Sequence, residues 1–172
     1  MHRRRLMAGA AGLASLALIP LPLFARSAPP APAASGPPGE DLARTILMAG
    51  DFATASSELA LQRSEDEAVR GFARMEIVEQ AAIARAFGGQ PGSAGLMAQH
   101  EILINKRTLA DDAAFDLLYL EGQIAGHDAA LRDHRDYART GSQPMGRGAA
   151  MVAVPAIQTH LALLATLSRK TE

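Results

Sequence analysis

The 172-residue chain contains no cysteine and no tryptophan, and only 4% of its residues are aromatic. Without cysteine there is no disulfide framework, no thiolate metal ligand and no cysteine nucleophile. A lipid anchor on an N-terminal cysteine is excluded on the same ground. With so few aromatics, a core must come from Leu, Ile, Val, Met and a great deal of Ala. Small side chains let helices pack closely, so composition favours an all-α fold. An excess of positive charge is also missing. The formal net charge is −1, and Arg3, Arg4, Arg5 and Arg26 fall in the first 27 residues, where there is no acid. The rest of the chain holds 13 basic against 18 acidic residues. A mildly acidic body without a basic stripe argues against nucleic acid as a partner. What the chain does have is 48% hydrophobic residues, which suits a single globular core.

Residues 1–27 are predicted to be a signal peptide. His2-Arg3-Arg4-Arg5 is a charged start, Leu6 to Phe24 is an apolar run, and Ala25-Arg26-Ser27 places small residues before a cut preceding Ala28. Arg3-Arg4-Arg5-Leu6-Met7 also fits a twin-arginine pattern, so Sec and twin-arginine export both remain open. Residues 28–40, rich in Pro, Ala and Gly, are expected to form an extended tether. No later run is long and apolar enough to predict an integral membrane span after cleavage. The body also lacks the alternating pattern of an outer-membrane barrel. The expected location is the periplasm or the secreted fraction.

Residues 41–170 are expected to form the folded domain. Leu42, Ile46, Phe52 and Leu59 mark a first long helix, Asp41 to about Arg63. Ser64-Glu65-Asp66-Glu67 is expected to be a capping box, with Ser64 as the cap, for a second helix ending near Phe87. Gly88-Gly89-Gln90-Pro91-Gly92 then breaks the pattern. A crossover follows, with a short helix around Met97–Lys106. Asp111 or Asp112 caps a third long helix that stops at Gly141, and Pro144 opens a fourth that runs to about Ser168. Two helical hairpins joined by such a crossover describe a ferritin-like four-helix bundle. Pro155 lies inside the fourth helix and is expected to kink it, five residues before His160.

At about 100° per residue, Glu76, Gln80, His127 and His160 each fall in or beside an apolar stripe, on three different helices. Polar groups aimed at one core must find partners, in each other or in a metal. One expectation is a buried hydrogen-bond network, since neutral His and Gln both donate and accept. The other is a transition-metal site of Glu76, His127 and His160, with Gln80 adjacent, because carboxylate and imidazole from facing helices are suitable ligands. The Glu-x-x-His pair typical of di-metal bundles is missing: Ile124 and Ile157 stand three residues before the two histidines. Glu58, His100-Glu101 and the run Asp133-His134-Arg135-Asp136 are expected at the surface. The seven Met are scattered as packing residues, and no Gly-rich phosphate loop or nucleophile elbow occurs.

Three stretches in this order and spacing carry a resemblance. They are Val69-Arg70-Gly71-Phe72-Ala73-Arg74-Met75, then Phe115-Asp116-Leu117-Leu118-Tyr119 through Ile124-Ala125-Gly126-His127, then Val154-Pro155 followed by His160-Leu161. Over residues 41–168 the chain resembles the exported bacterial proteins of domain-of-unknown-function family 4142, often labelled outer-membrane proteins. The resemblance implies a ferritin-like four-helix bundle and no established activity. It also implies a His where this chain has Gln80, and an acidic residue near Ala53 and Ala55, so part of a metal-ligand set is absent here. The expectation is an exported helical-bundle protein, non-catalytic, acting as a binding or stress-related accessory protein, with an unidentified protein partner and no cofactor. The alternative is a ferritin-like metal-binding protein or oxidoreductase with its site between the second, third and fourth long helices.

Overall fold

The computed structural model describes residues 38–171 of the chain. The predicted signal peptide and residues 28–37 of the predicted tether lie outside the described residues. Residues 38–40, expected to belong to the tether, form the first turn of a helix. Pro38 suits that place: its fixed φ fits the helix and its missing N–H is not needed there.

Among the described residues there are five helices and no strand: α1 (Pro38–Arg63), α2 (Glu67–Ala86), α3 (Ala98–Thr108), α4 (Asp112–Thr140) and α5 (Pro144–Thr171). The all-α expectation holds, and the order of long and short helices is the expected one. The helix starts differ in one respect. Asp66, not Ser64, caps α2: its carboxylate accepts from the backbone N–H of Ala68 and Val69. Ser64 Oγ instead accepts from the Asp66 N–H, within the connecting turn. The three-residue connection leaves Ser64 two residues too early to reach the free N–H groups. Asp111 caps α4 by accepting from Ala114 N–H. Gly141 ends α4 for a packing reason, since its φ is −58° and a Cβ there would meet the Tyr137 ring at 2.4 Å. The helical backbone of α5 runs through Pro155.

α1 packs against α2 and α4, and α4 packs against α5, while α2 meets α5 only sparsely. The apolar stripes close into two clusters. One joins Ala60, Val69, Phe72, Phe115, Tyr119, Leu120 and Leu164. The other, at the opposite ends of the same helices, joins Ile46, Phe87, Tyr137 and Ala150. Burying such side chains is the main favourable term in holding these helices together. Residues between the two clusters in sequence include Ser56, Ser57, Glu76, Gln123, His127 and His160, all buried.

The short α3 is fastened to α1 at both ends. Asp51 of α1 accepts from the backbone N–H of Gly92, Ala94 and Gly95 in the loop before α3. Arg63 of α1 donates to the carbonyls of Arg107, Thr108 and Ala110 at its far end and pairs with Asp112.

The two accounts of the α2 cap separate by mutation. Asp66→Ala is expected to cost about 1 kcal/mol in urea unfolding, as a lost N-cap does. Glu67→Ala, which breaks only exposed ion pairs with Arg70 and Arg74, is expected to cost at most a few tenths. The reverse order would restore the capping box.

Candidate metal centre

α2 carries Glu76 into the interior because Val69, Phe72 and Ala73, one and two turns before it, are core residues on the same face. α4 does the same for His127, with Leu120 seven residues earlier, and α5 for His160, with Ile157 and Leu164 flanking it by one turn. Glu76 is 1% exposed, His127 5% and His160 6%, so three titratable groups share one buried region. Phe72 lies against both imidazoles, with its ring centroid 5.8 Å from each.

Three atoms converge. Glu76 Oε2 lies 3.3 Å from His127 Nε2 and 3.8 Å from His160 Nδ1, and the two nitrogens are 3.3 Å apart. Each ligand atom's partner on the same side chain is held from outside. Gln80 Nε2 donates to Glu76 Oε1 at 2.8 Å. His127 Nδ1 donates to the Gln123 carbonyl at 2.8 Å. His160 Nε2 faces the Glu79 carboxylate at 3.3 Å.

These outer contacts decide what the inner atoms carry. A carbonyl only accepts, so His127 Nδ1 bears the hydrogen and Nε2 of the neutral ring presents a lone pair. A proton on His160 Nε2, facing Glu79, leaves Nδ1 bare in the same way. With that placement three lone pairs, one of them on a carboxylate, face one another; with the hydrogen on His160 Nδ1 instead, His160 donates to His127 Nε2 and only Glu76 Oε2 is left without a donor. Glu76 Oε2 makes no hydrogen bond of ordinary geometry, despite its 3.3 Å approach to His127. Something positive belongs at this point: a proton, making one ring an imidazolium, or a metal ion. The point equidistant from the three atoms in their plane lies about 2.0 Å from each. Bonds from zinc to imidazole nitrogen and carboxylate oxygen are about that long.

The protonated state is favoured by charge alone. Burial pushes the Glu76 carboxyl up, but the hydrogen bond and charge of His127, the Gln80 amide and the charge of His160 together hold it below its ordinary value. Burial pulls His127 down, and Glu76 outweighs it, with help from the Gln123 carbonyl and Glu79, so its pKa is raised. Tyr119 supports this region from one side: its hydroxyl is 3.0 Å from Ser57 Oγ, which also accepts from Gln123 Nε2 at 3.5 Å. Burial raises the Tyr119 pKa.

All three residues expected from the sequence come together here, and Gln80 is adjacent as expected. Its place is behind the carboxylate, where Gly50 makes room for it: a Cβ at Gly50 would meet Gln80 Oε1 at 2.6 Å. Glu58 is exposed, as expected. Two surface expectations fail. His100 is 8% exposed and stacks on Phe52, and His134 is 5% exposed, with Nδ1 donating to the Ala130 carbonyl and Nε2 buried. Both lie on the inner face of their helix, although charged neighbours disguise them. Burial lowers the pKa of both. Glu79 and Gln123 were not anticipated. Glu79 has a signal, since it stands four residues from Met75 and three from Glu76 on an inward-facing stretch. The centre lies on the wall of a cavity of about 1020 Å³.

The family described as Domain of unknown function (DUF4142) matches residues 24–167, and the chain belongs to it. No curated protein and no solved structure matches the chain.

The Glu76–His127 pair sets a pH dependence in the chelated protein. A raised imidazole pKa contributes stability that is complete below about pH 6.5 and is lost as pH climbs through the folded value. A depressed carboxyl pKa contributes stability that is present above about pH 4.5 and is lost as pH falls. His100 and His134 act with the opposite sign below about pH 6.5, so the difference between wild type and Glu76→Gln is the informative quantity. That gap in unfolding free energy, from urea titration, is expected to be widest between these limits, at roughly 1–3 kcal/mol, and to narrow on either side. A gap that does not change with pH would refute the charged pair.

Proposed function

Taking membership of that family as the premise, we propose that this protein is an exported, non-catalytic binding protein of the ferritin-like four-helix-bundle kind, whose ligand is one divalent transition-metal ion. The ligands are Glu76 Oε2, His127 Nε2 and His160 Nδ1. The observation that carries the reading is the convergence of Glu76 Oε2, His127 Nε2 and His160 Nδ1 within 3.8 Å of one another, each on a side chain held by an outer hydrogen bond or charge contact. Outer contacts of that kind orient metal ligands and fix imidazole tautomers. One carboxylate and two imidazoles suit zinc, iron(II), manganese and their neighbours rather than calcium or magnesium, which prefer all-oxygen shells. A divalent ion also compensates the buried Glu76 charge better than a single shared proton. A single ion fits the geometry: among the described residues, Glu76, His127 and His160 are the group of three ligating side chains close enough to share one.

The first test is elemental mass spectrometry of the mature protein purified from the periplasm. About one equivalent of one transition metal is expected, lost in His160→Ala and in Glu76→Gln. Re-addition of that metal to chelated protein is expected to stabilise it by about 2.7 kcal/mol at a hundredfold excess over Kd. Gln80→His is expected to tighten binding by adding a ligand. Mixed, substoichiometric metal that the variants leave unchanged would overturn the reading and leave the cluster as a hydrogen-bond network. Recovery of the protein from the cytoplasm alone would overturn the export reading.

A further inference from the structure

The cavity has a second polar feature, made of residues other than the three metal-facing side chains. α3 buries two residues, His100 and Arg107. They are seven residues apart, two turns, and so on one face of the helix. Both line the cavity. Both also hold a buried nitrogen with no hydrogen-bond partner, His100 Nδ1 and Arg107 Nη1. They bracket the Phe52 ring: His100 stacks on it at 4.4 Å, and the guanidinium carbon lies 5.2 Å from its centroid.

Arg107 is 3% exposed. Its guanidinium makes one hydrogen bond, from Nε to the Leu118 carbonyl at 3.2 Å. None of the ion pairs among the described residues includes it. A cation taken out of water without a counter-ion is costly, and buried charges are ordinarily paired. The fold nevertheless makes room for this one. Gly122 of α4 faces it so closely that a Cβ there would meet Nη2 at 1.6 Å. Asp51 and Arg63 hold both ends of α3 in place. The guanidinium is therefore positioned by glycine and helix, and its charge is unanswered.

Most of the remaining cavity wall is apolar and small, with Ala49, Ala53, Ile83, Ala149 and Val152 among its residues. Val152 is 72% exposed although it lies on the apolar stripe of α5. Glu79, Glu121 and Asp133 also line this space, but none of them pairs with Arg107. A largely apolar space of this size with convergent polar groups suits a small organic molecule. The unanswered charge selects an anion, and the planar fork of a guanidinium matches the two oxygens of a carboxylate.

We propose that the cavity binds a carboxylic acid with an apolar tail, its carboxylate on Arg107 with His100 beside it and its tail along the alanine-rich wall. This does not rest on the metal reading, because Arg107 and His100 are not among the metal-facing atoms.

The test is calorimetric titration of the mature chain with decanoate below its micelle concentration, beside decanol and decyltrimethylammonium. Chelator is present, so that a carboxylate has no metal to bind. Decanoate is expected to bind one to one, at least tenfold more tightly than decanol and more tightly still than the cation. Arg107→Met is expected to weaken decanoate at least tenfold and to leave decanol unchanged. If that variant does not fold, Gly122→Ala, which displaces the guanidinium, is read in the same way. His160→Ala is expected to keep the preference for the anion. No decanoate binding in wild type, or equal binding of decanoate and decanol, overturns the proposal. A preference that survives in folded Arg107→Met, or that vanishes in His160→Ala, overturns the assignment to Arg107.

Discussion

The ionised carboxyl of Glu76, 1% exposed, is the constraint around which the middle of this protein is arranged. A bare carboxylate in a dry interior is unfavourable by several kcal/mol, and it persists only with a cation or several donors around it. Gln80 supplies a donor to one oxygen from the next turn of the same helix, and His127 and His160 crowd the other from two different helices. Each of these partners is fixed in turn, Gln80 over the space left by Gly50, His127 by the Gln123 carbonyl, His160 by Glu79. The relative rotation of α2, α4 and α5 is thereby tied to one charge. A slip of any of the three by one residue would turn its polar group away and leave Glu76 unpaired.

The two apolar clusters make this affordable. They hold the helices at their opposite ends with Phe72, Phe115 and Leu164 on one side and Phe87 and Tyr137 on the other. Between them many of the residues lining the cavity are Ala and Gly, too small to fill the space between the helices. A chain with only 4% aromatics has few large side chains to spend, and it places them at the ends. The space left over is the cavity, and the polar groups are those that border it.

Helical periodicity alone brought Glu76, Gln80, His127 and His160 to one place, because each is surrounded by apolar residues at intervals of three and four. The five helices were legible for the same reason, with Gly88-Gly89 and Asp111 as punctuation. What periodicity could not show was any helix whose buried face is itself polar. α3 buries His100 and Arg107, so its inward side looks like a surface in the sequence. His134 is hidden by its neighbours Asp133 and Arg135 in the same way. Spacing also does not say which of several capping residues lies at the right distance, and Asp66 prevailed over Ser64 once the turn between α1 and α2 took its length. Contacts such as Glu79 with His160 and Gly122 with Arg107 depend on how helices meet, which no single helix records.

The fastening of α3 to α1 at both ends has a mechanical meaning. A helix pinned by Asp51 before its start and by Arg63 beyond its end cannot swing out as a hatch without breaking charged contacts at one end. Among the long helices, α2 and α5 meet more sparsely than α1 with α2, α1 with α4 or α4 with α5, and that seam is the softer path between them. Traffic between solvent and interior would then be timed by breathing of that seam, and exchange of buried amide protons along α2 and α5 would share its rhythm.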